Sequence, residues 1–309
     1  MVKDLGEAAV AVLTAAWPLE KVRLTRAYAA AWRDGTLSPA VTLAPPDRPA
    51  RPERPELKLP RDMPKRGRGG SAQNRVALLH ALAHIELNAI DLAWDLVCRF
   101  ASAGLPKGFT DDWVRVADDE ARHFVMLEER LNALGASYGD LPAHDGLWQA
   151  ATETAHDLAA RLAVVPMVLE ARGLDVTPDT VRRLRDFGDQ ESADLLQTIH
   201  DEEIDHVAAG RRWFVHLCAQ RGVEPVVLWQ ELVARHFRGG LKRPFNVPSR
   251  ERAGFGPEYY EPITPLPERT APKQTVPKQA APKQAAPEQA APEQAAPEQA
   301  AVDRHRETR

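Results

Sequence analysis

Proline placement constrains this chain more than any other feature. Of the 26 prolines, Pro106, Pro142, Pro166 and Pro178 are the four between Ser71 and Arg221; nine precede that stretch and thirteen follow it. Proline lacks a backbone donor and clashes with the preceding helical turn, so this distribution predicts one helical block, 71–221, between irregular flanks. Residues 1–38 read as an N-terminal helix pair broken at Trp17-Pro18. Residues 39–70, with APPDRPARPERPELKLP and KRGRGGS, read as an extended proline-rich and basic connector. A further helix is expected over 225–238 and an irregular wrap over 239–268, so that 222–268 forms a C-terminal helix and wrap. From Ala271 the pentapeptides APKQT, VPKQA, APKQA and APEQA follow one another. They carry no hydrophobic period, and 269–309 is expected to be a disordered tail.

Within the block, Ser71 is placed to cap a first helix running to about Ser102, ahead of Gly104. Thr110 or Asp111 is expected to open a second, ended by Gly135. A third is expected from about Leu147 to Ala171, before Gly173. Thr177-Pro178 reads as a cap with proline at the first helical position, starting a short helix. Phe187-Gly188-Asp189 breaks it, and a fourth long helix reaches about Gln220. Four long helices without strand-like alternation predict an all-α fold, a four-helix bundle.

Helical periodicity then exposes an anomaly. The apolar stripe of the first helix is Leu79, Leu82, Glu86, Ile90, Ala93, Val97; that of the third is Ala163, Met167, Glu170, Leu174. The second runs Trp113, Ala117, Glu120, Phe124, Leu127, Leu131, and the fourth Leu196, Ile199, Glu203, His206, Gly210, Trp213, Leu217. Each stripe contains a glutamate. Glu120 and Glu203 are each followed three residues on by a histidine, His123 and His206, on the same face. Glu86 precedes Glu120 by 34 residues and Glu170 precedes Glu203 by 33, so the two halves repeat one plan. An unpaired buried carboxylate costs several kcal/mol, and four together require compensating charge. A Glu from each of two helices plus Glu-x-x-His from each of two others is the ligand set of di-iron and di-manganese carboxylate proteins. Four carboxylates neutralise two divalent cations, and two imidazoles complete a shell suited to iron or manganese. The alternative is a set of buried ion pairs with Arg122, Arg172 or Arg211, which leaves the repeat unexplained.

The segments HALAHIELNAIDLAWD (80–95), DDEARHF (118–124), VPMVLEARGLDVTP (165–178) and HDEEIDHVAAGRRWF (200–214) resemble a ferritin-like bacterial family still classed as a domain of unknown function. The resemblance covers about residues 5–260 and excludes the tail. It implies a ferritin-like bundle with a carboxylate-bridged di-metal centre and no particular reaction. Asp119-Glu120-Ala121-Arg122-His123 also resembles the D-E-x-R-H motif of di-iron oxygenases. By that resemblance Glu120 and Glu203 bridge the two metals, Glu86 and Glu170 are terminal ligands, and His123 and His206 serve one ion each. Asp119 and Glu202 then match a position where a carboxylate takes the far N–H of the histidine on the opposite helix, Asp119 matching better.

Other candidates carry plainer readings. His80 and His84 share a face of the first helix with Asp91 and Asp95 and read as interhelical hydrogen-bonders. His200, one turn before Glu203, is a candidate pocket residue. Pro166, four residues before Glu170, is expected to kink the third helix beside the site, either opening a pocket or fitting the helix to its neighbours. Cys98, Cys218, Trp213 and Phe214 read as packed core. Seven Lys/Arg against three Asp/Glu in 51–70 make either a solvated linker or a strip for RNA.

Two cysteines exclude a disulfide scaffold and a thiolate zinc site. A net charge of −4 gives little general attraction to nucleic acid. With no run of 18 apolar residues and no signal-like amino terminus, the expected location is the cytoplasm, with no membrane partner. The leading expectation is a di-iron, or manganese/iron, oxidoreductase that activates dioxygen to hydroxylate or oxidise an unknown substrate. The alternatives are iron oxidation or peroxide removal without an organic substrate, and an interaction module stabilised by metal. RNA as substrate follows only from analogy with ferritin-like tRNA hydroxylases. No ferredoxin-like cysteine cluster or dinucleotide fingerprint is present, so an external electron donor is expected, as is a monomer or small homo-oligomer.

Overall fold

Local chemistry sets the helix starts. In the computed structural model, which describes residues 2–64 and 70–265, Asp4 accepts the Glu7 N–H at 3.0 Å and opens α1 (Leu5–Thr14). Pro18 opens α2 (Pro18–Arg33), where its missing N–H costs nothing. The connector then runs extended to a two-residue strand β1 (Leu57–Lys58). Ser71 accepts the Asn74 N–H at 3.3 Å and opens α3 (Ala72–Phe100). The tail 269–309 and the basic residues 65–69 of the connector lie outside the described residues.

The second helix, α4 (Lys107–Ala133), starts three residues before the expected Thr110. Pro106, with φ fixed at −56°, stands at its N-cap, and its carbonyl accepts the Phe109 N–H at 2.9 Å. Strand β2 (Ala143–His144) pairs in parallel with β1, a contact that the alternation pattern does not announce.

The expected third helix is several elements. After α5 (Gly146–Glu153) the chain breaks, and Asp157 accepts the Ala159 N–H at 3.0 Å to start α6 (Leu158–Val164). A π-helical turn, Val165–Glu170, follows around Pro166. It leads into α7 (Ala171–Asp186), which runs through Gly173 and Thr177-Pro178 where a stop and a restart are expected. The helix survives Pro178 because the carbonyl that the proline cannot serve, that of Leu174, accepts Asn246 Nδ2–H at 3.1 Å. Asp189 then accepts the Ser192 N–H at 3.1 Å and opens α8 (Gln190–Arg221), which ends at Gly222 with φ 64°. The C-terminal wrap contains α9 (Pro225–His236), α10 (Val247–Arg252) and α11 (Pro257–Tyr260). The described chain is thus mostly helical with almost no strand, as an all-α reading requires.

Helix α3 packs along α4, α7 along α8, and α4 against α8, with α1 and α2 laid on α3 and α4. Leu79, Ile90 and Val97 meet Trp113, Phe124 and Leu127, while Met167 and Leu174 meet Leu196 and Leu217 within one buried cluster. Each such side chain contributes about 1.5–3 kcal/mol by leaving water.

By length and composition α3 passes the test for a membrane-crossing helix, yet it is the central helix here and its other face is polar and fully paired. Asp91, 0% exposed, receives Lys21 of α2 and Arg51 of the connector. Asp95, also 0% exposed, accepts Arg161 at 2.6 Å and Arg99 at 2.8 Å. The two histidines of this face bond elsewhere than to these aspartates. His80 Nε2 accepts the Gly139 N–H at 3.0 Å, and His84 Nδ1 meets the Tyr138 hydroxyl at 2.8 Å. At the opposite end of the fold Arg250 donates twice to Asp175 at 2.8 Å and lies over the Tyr260 ring, tying the wrap to α7.

Asp91→Ala leaves Lys21 and Arg51 buried without their shared counterion. It should destabilise the chain by about 3–5 kcal/mol, read as a lowered urea midpoint; an unchanged midpoint would refute the assignment of Asp91 as the anchor of the connector.

Candidate metal centre

Four elements bring a glutamate to one place in the interior. Glu86 comes from the middle of α3, Glu120 from α4, Glu170 from the end of the π-turn and Glu203 from α8. His123 and His206 follow their glutamates by three residues, so each pair leaves its helix from one face. Glu120 is 1% exposed and both histidines are 0% exposed. The ring centres of His123 and His206 are 5.8 Å apart.

The geometry has a centre and two ends. His123 Nδ1 lies 3.5 Å from Glu86 Oε2, 3.5 Å from Glu120 Oε2 and 3.7 Å from Glu203 Oε1. His206 Nδ1 lies 3.1 Å from Glu120 Oε1 and 3.3 Å from Glu203 Oε1. Glu120 therefore turns one oxygen to each histidine, and Glu203 reaches both. Glu86 belongs to the His123 end. Glu203, Glu120 and His206 act electrostatically on Glu170. Among the described residues Glu86, Glu120, His123 and Glu203 offer donor atoms that all lie within 4.8 Å of one another, a buried group that could hold a metal ion.

The donors fit a cation better than they fit each other. Both Glu120 oxygens, Glu170 Oε2 and the Nδ1 atoms of both histidines are buried and make no hydrogen bond. None of the arginines that might have neutralised the carboxylates contacts them. Arg172 donates to the carbonyls of Lys242 and Pro244, Arg211 lies against Gly254, and Arg122 sits one layer further out.

That outer layer orients the histidines. His123 Nε2–H donates to Glu202 at 2.6 Å, and His206 Nε2–H reaches Asp119 at 3.4 Å. The shorter contact is that of Glu202, the reverse of the order in which the two match the motif. With Nε2 directed at a carboxylate behind it, Nδ1 is left to face the glutamates. Arg122 donates to Glu202 at 2.7 Å and to Asp119 at 3.1 Å, joining the two carboxylates. In the sequence Arg122 enters only in the alternative reading, as one of three possible counterions of the inward glutamates; its position three residues after Asp119 is the signal available for this role.

The two remaining candidates part company. Pro166 is buried at the second position of the π-turn, against α8. His200, although buried, is bonded through Nε2 to Ser249 of the C-terminal wrap at 3.1 Å.

Without a cation, protons compensate the cluster. Burial, then Glu120, pushes the Glu86 carboxyl well above the usual range, and burial with Glu203 does the same to Glu170. Burial would raise Glu120 as well, but its contacts with Glu86, His123 and His206 outweigh it and hold Glu120 low. Burial opposes charge on His123, yet Glu120, Glu202 and Glu86 outweigh it and push the imidazole up to about 12. His206 is likewise raised, its burial outweighed by Glu203, Asp119 and Glu120. Protons on Glu86, Glu170 and the Nδ1 of both histidines balance four carboxylates, the same charge that two divalent cations bring.

Because burial and the neighbouring carboxylates favour these protons, a divalent cation must compete with them. Manganous ion added to weakly buffered protein at pH 7 should release about two protons per ion, and affinity should fall about tenfold per pH unit on acidification for each proton displaced. Calorimetry in buffers of different ionisation enthalpy reads the proton count; binding with neither proton release nor pH dependence would refute this charge state.

Residues 14–261 match the family described as Protein of unknown function (DUF455), a stretch that contains the connector, both Glu-x-x-His pairs and most of the wrap. An uncharacterized protein of Haemophilus influenzae (strain ATCC 51907 / DSM 11121 / KW20 / Rd) is 42% identical over 209 residues, 66% of this chain and 72% of that relative. No solved structure matches the chain. The family match spans most of the chain, and the chain belongs to this family of proteins of unknown function.

Proposed function

We propose that the chain is a ferritin-like four-helix bundle holding two metal ions, both iron, both manganese or one of each, and that it is a cytoplasmic oxidoreductase that activates dioxygen to hydroxylate or oxidise a substrate. The observation that carries this reading is the set of buried donor atoms without hydrogen bonds: both Glu120 oxygens, Glu170 Oε2 and the two histidine Nδ1 atoms. Each buried polar atom left unpaired costs about 1–3 kcal/mol, so five in one place point to a ligand. Oxygen and imidazole donors in this ratio suit iron and manganese.

In this reading Glu120 and Glu203, each of which reaches both histidines, would serve both ions. Glu86 and His123 would hold one ion, and Glu170 and His206 the other. When bound, the metals supply the Lewis acidity and the electrons that dioxygen chemistry requires. The protein's share is to fix the ligands and keep the site dry. Glu202 and Asp119 hold the imidazoles in the tautomer that presents Nδ1, and Arg122 keeps those two carboxylates charged and in place. Ala117, Ala121 and Phe124, all buried, flank Glu120 and His123 on α4 and shield them from bulk water. Reducing equivalents come from an external donor.

A second reading has one observation in its favour. A cavity of about 650 Å³ is lined by Trp17, Leu19, Arg51, Phe124, Glu128 and Tyr138 among others, and by none of the six inward residues. Among the described residues this cavity offers an organic substrate no chamber at the cluster, which favours iron oxidation or peroxide removal, whose substrates are small. RNA draws less support than the sequence suggests, since Arg51 and Lys58 of the basic strip are engaged with Asp91 and Glu56.

Protein purified from iron-supplemented cells should contain about two iron or manganese ions per chain, and the double variant Glu120→Ala/Glu203→Ala should lose both while keeping its helical circular dichroism. Metal-free protein that also takes up no ferrous ion anaerobically would end this reading. Loaded protein that consumes dioxygen only when a reductant is supplied would favour the oxidoreductase, whereas rapid removal of peroxide would favour the second reading.

A further inference from the structure

The two ends of the cluster are built differently. Glu86 projects from the middle of a continuous 29-residue helix, is 5% exposed and belongs to the donor group within 4.8 Å. Glu170 is the last residue of the π-turn, is partly exposed and stands outside that compact group. The histidines differ in the same sense. His123 is held from behind at 2.6 Å, His206 at 3.4 Å.

The position of Glu170 depends on one packing contact. Pro166 sits against Gly210 of α8, so closely that a Cβ at position 210 would lie 2.5 Å from both Cβ and Cγ of the proline ring. No real Cβ tolerates that approach, so α8 has a notch at Gly210 that admits the proline. Pro166 lies four residues before Glu170, and Gly210 four residues after His206, each about one helical turn from a ligand. The seat therefore joins the two elements that carry Glu170 and His206. π-Turns survive inside α-helices when their surroundings hold them, and a one-residue slip to α register would swing Glu170 by roughly 100° about the helix axis. Here the surroundings are the seat and the Trp229 indole, which donates to the Ala163 carbonyl at 3.2 Å just before the turn.

We propose that the two cation positions fill in order, the Glu86/His123 position first and the Glu170/His206 position second and more weakly, and that the seat of Pro166 on Gly210 sets the second. The inference rests on the metal-binding reading and adds to it an order and a controlling residue. The physical reason is preorganisation. Three carboxylates and an imidazole already converge at the first position, whereas the second must draw Glu170 in, and that ordering lowers its affinity. Gly210 is a positioning residue: it touches no ligand atom and acts through the turn. The partly exposed end is then the one whose occupancy responds to the supply of metal.

Manganese titration of the full chain under anaerobic conditions tests this, with free ion followed by its paramagnetic resonance signal. The native chain should bind in two steps whose Kd values differ by at least about tenfold. Glu170→Ala should abolish the second step and leave the first within about threefold. Gly210→Ala, with helical circular dichroism unchanged, should weaken the second step by about tenfold or more and spare the first; a residue serving only stability would move both or neither. Equal affinities in the native chain, equal loss of both steps in Glu170→Ala, or two native steps in a folded Gly210→Ala would overturn the proposal. Should Gly210→Ala fail to fold, Glu170→Ala alone decides whether the steps are separate. Absence of any binding by the native chain would instead overturn the metal reading beneath it.

Discussion

Four carboxylates buried together among apolar helices are the constraint on which the rest of this structure depends. Any one of them alone would be pushed out to solvent or neutralised by a proton, since the interior penalises unpaired charge by several kcal/mol. Together with two imidazoles they become a site whose charge must be supplied from outside. The helical framework accepts this because its apolar stripes are otherwise well packed, with Trp94, Trp113, Phe109 and Phe124 among its largest fully buried side chains.

The layers outside the cluster explain how so much unfavourable charge is held still. Glu202 and Asp119 back the histidines, and Arg122 links the two backing carboxylates, which couples the orientation of one imidazole to that of the other. Further out, the irregular flanks act as straps. Arg51 carries the connector to Asp91 on α3, and Arg250 carries the wrap to Asp175 on α7. One strap is thus fastened to α3, which bears Glu86, and the other to α7, which follows directly on Glu170.

Much of this was legible in the sequence because it obeys short-range periodicity. Glu86, Glu120, Glu170 and Glu203 stood out as charges in apolar stripes, and the spacing of three between Glu and His placed each pair on one face. Ser71 announced a helix start through its own side-chain chemistry, and Phe187-Gly188-Asp189 announced the break before the last long helix. What was not legible depends on partners distant in the chain. Pro178 reads locally as a helix start, and only Asn246, far along the chain, rescues the carbonyl that lets α7 pass through it. Pro166 announces a disturbance, but a π-turn rather than a simple kink follows from the notch at Gly210. The pairing of β1 with β2 has no local signal, since two-residue strands carry no alternation. His200, one turn from Glu203, looked like part of the site, and its commitment to Ser249 comes from the wrap, whose path local periodicity does not reveal.

The central claim is that Glu120 and Glu203 lie between two cations, with His123 and His206 at opposite ends. Anomalous diffraction from crystals soaked anaerobically in ferrous or manganous salt, recorded on both sides of the metal's absorption edge, addresses it directly. The account predicts two anomalous peaks, one within bonding distance of His123 Nδ1 and the other of His206 Nδ1, with both bridging glutamates between them. No peak at the cluster, in crystals where the four glutamates keep the arrangement described, would contradict it and leave a helical protein whose buried carboxylates are balanced by protons.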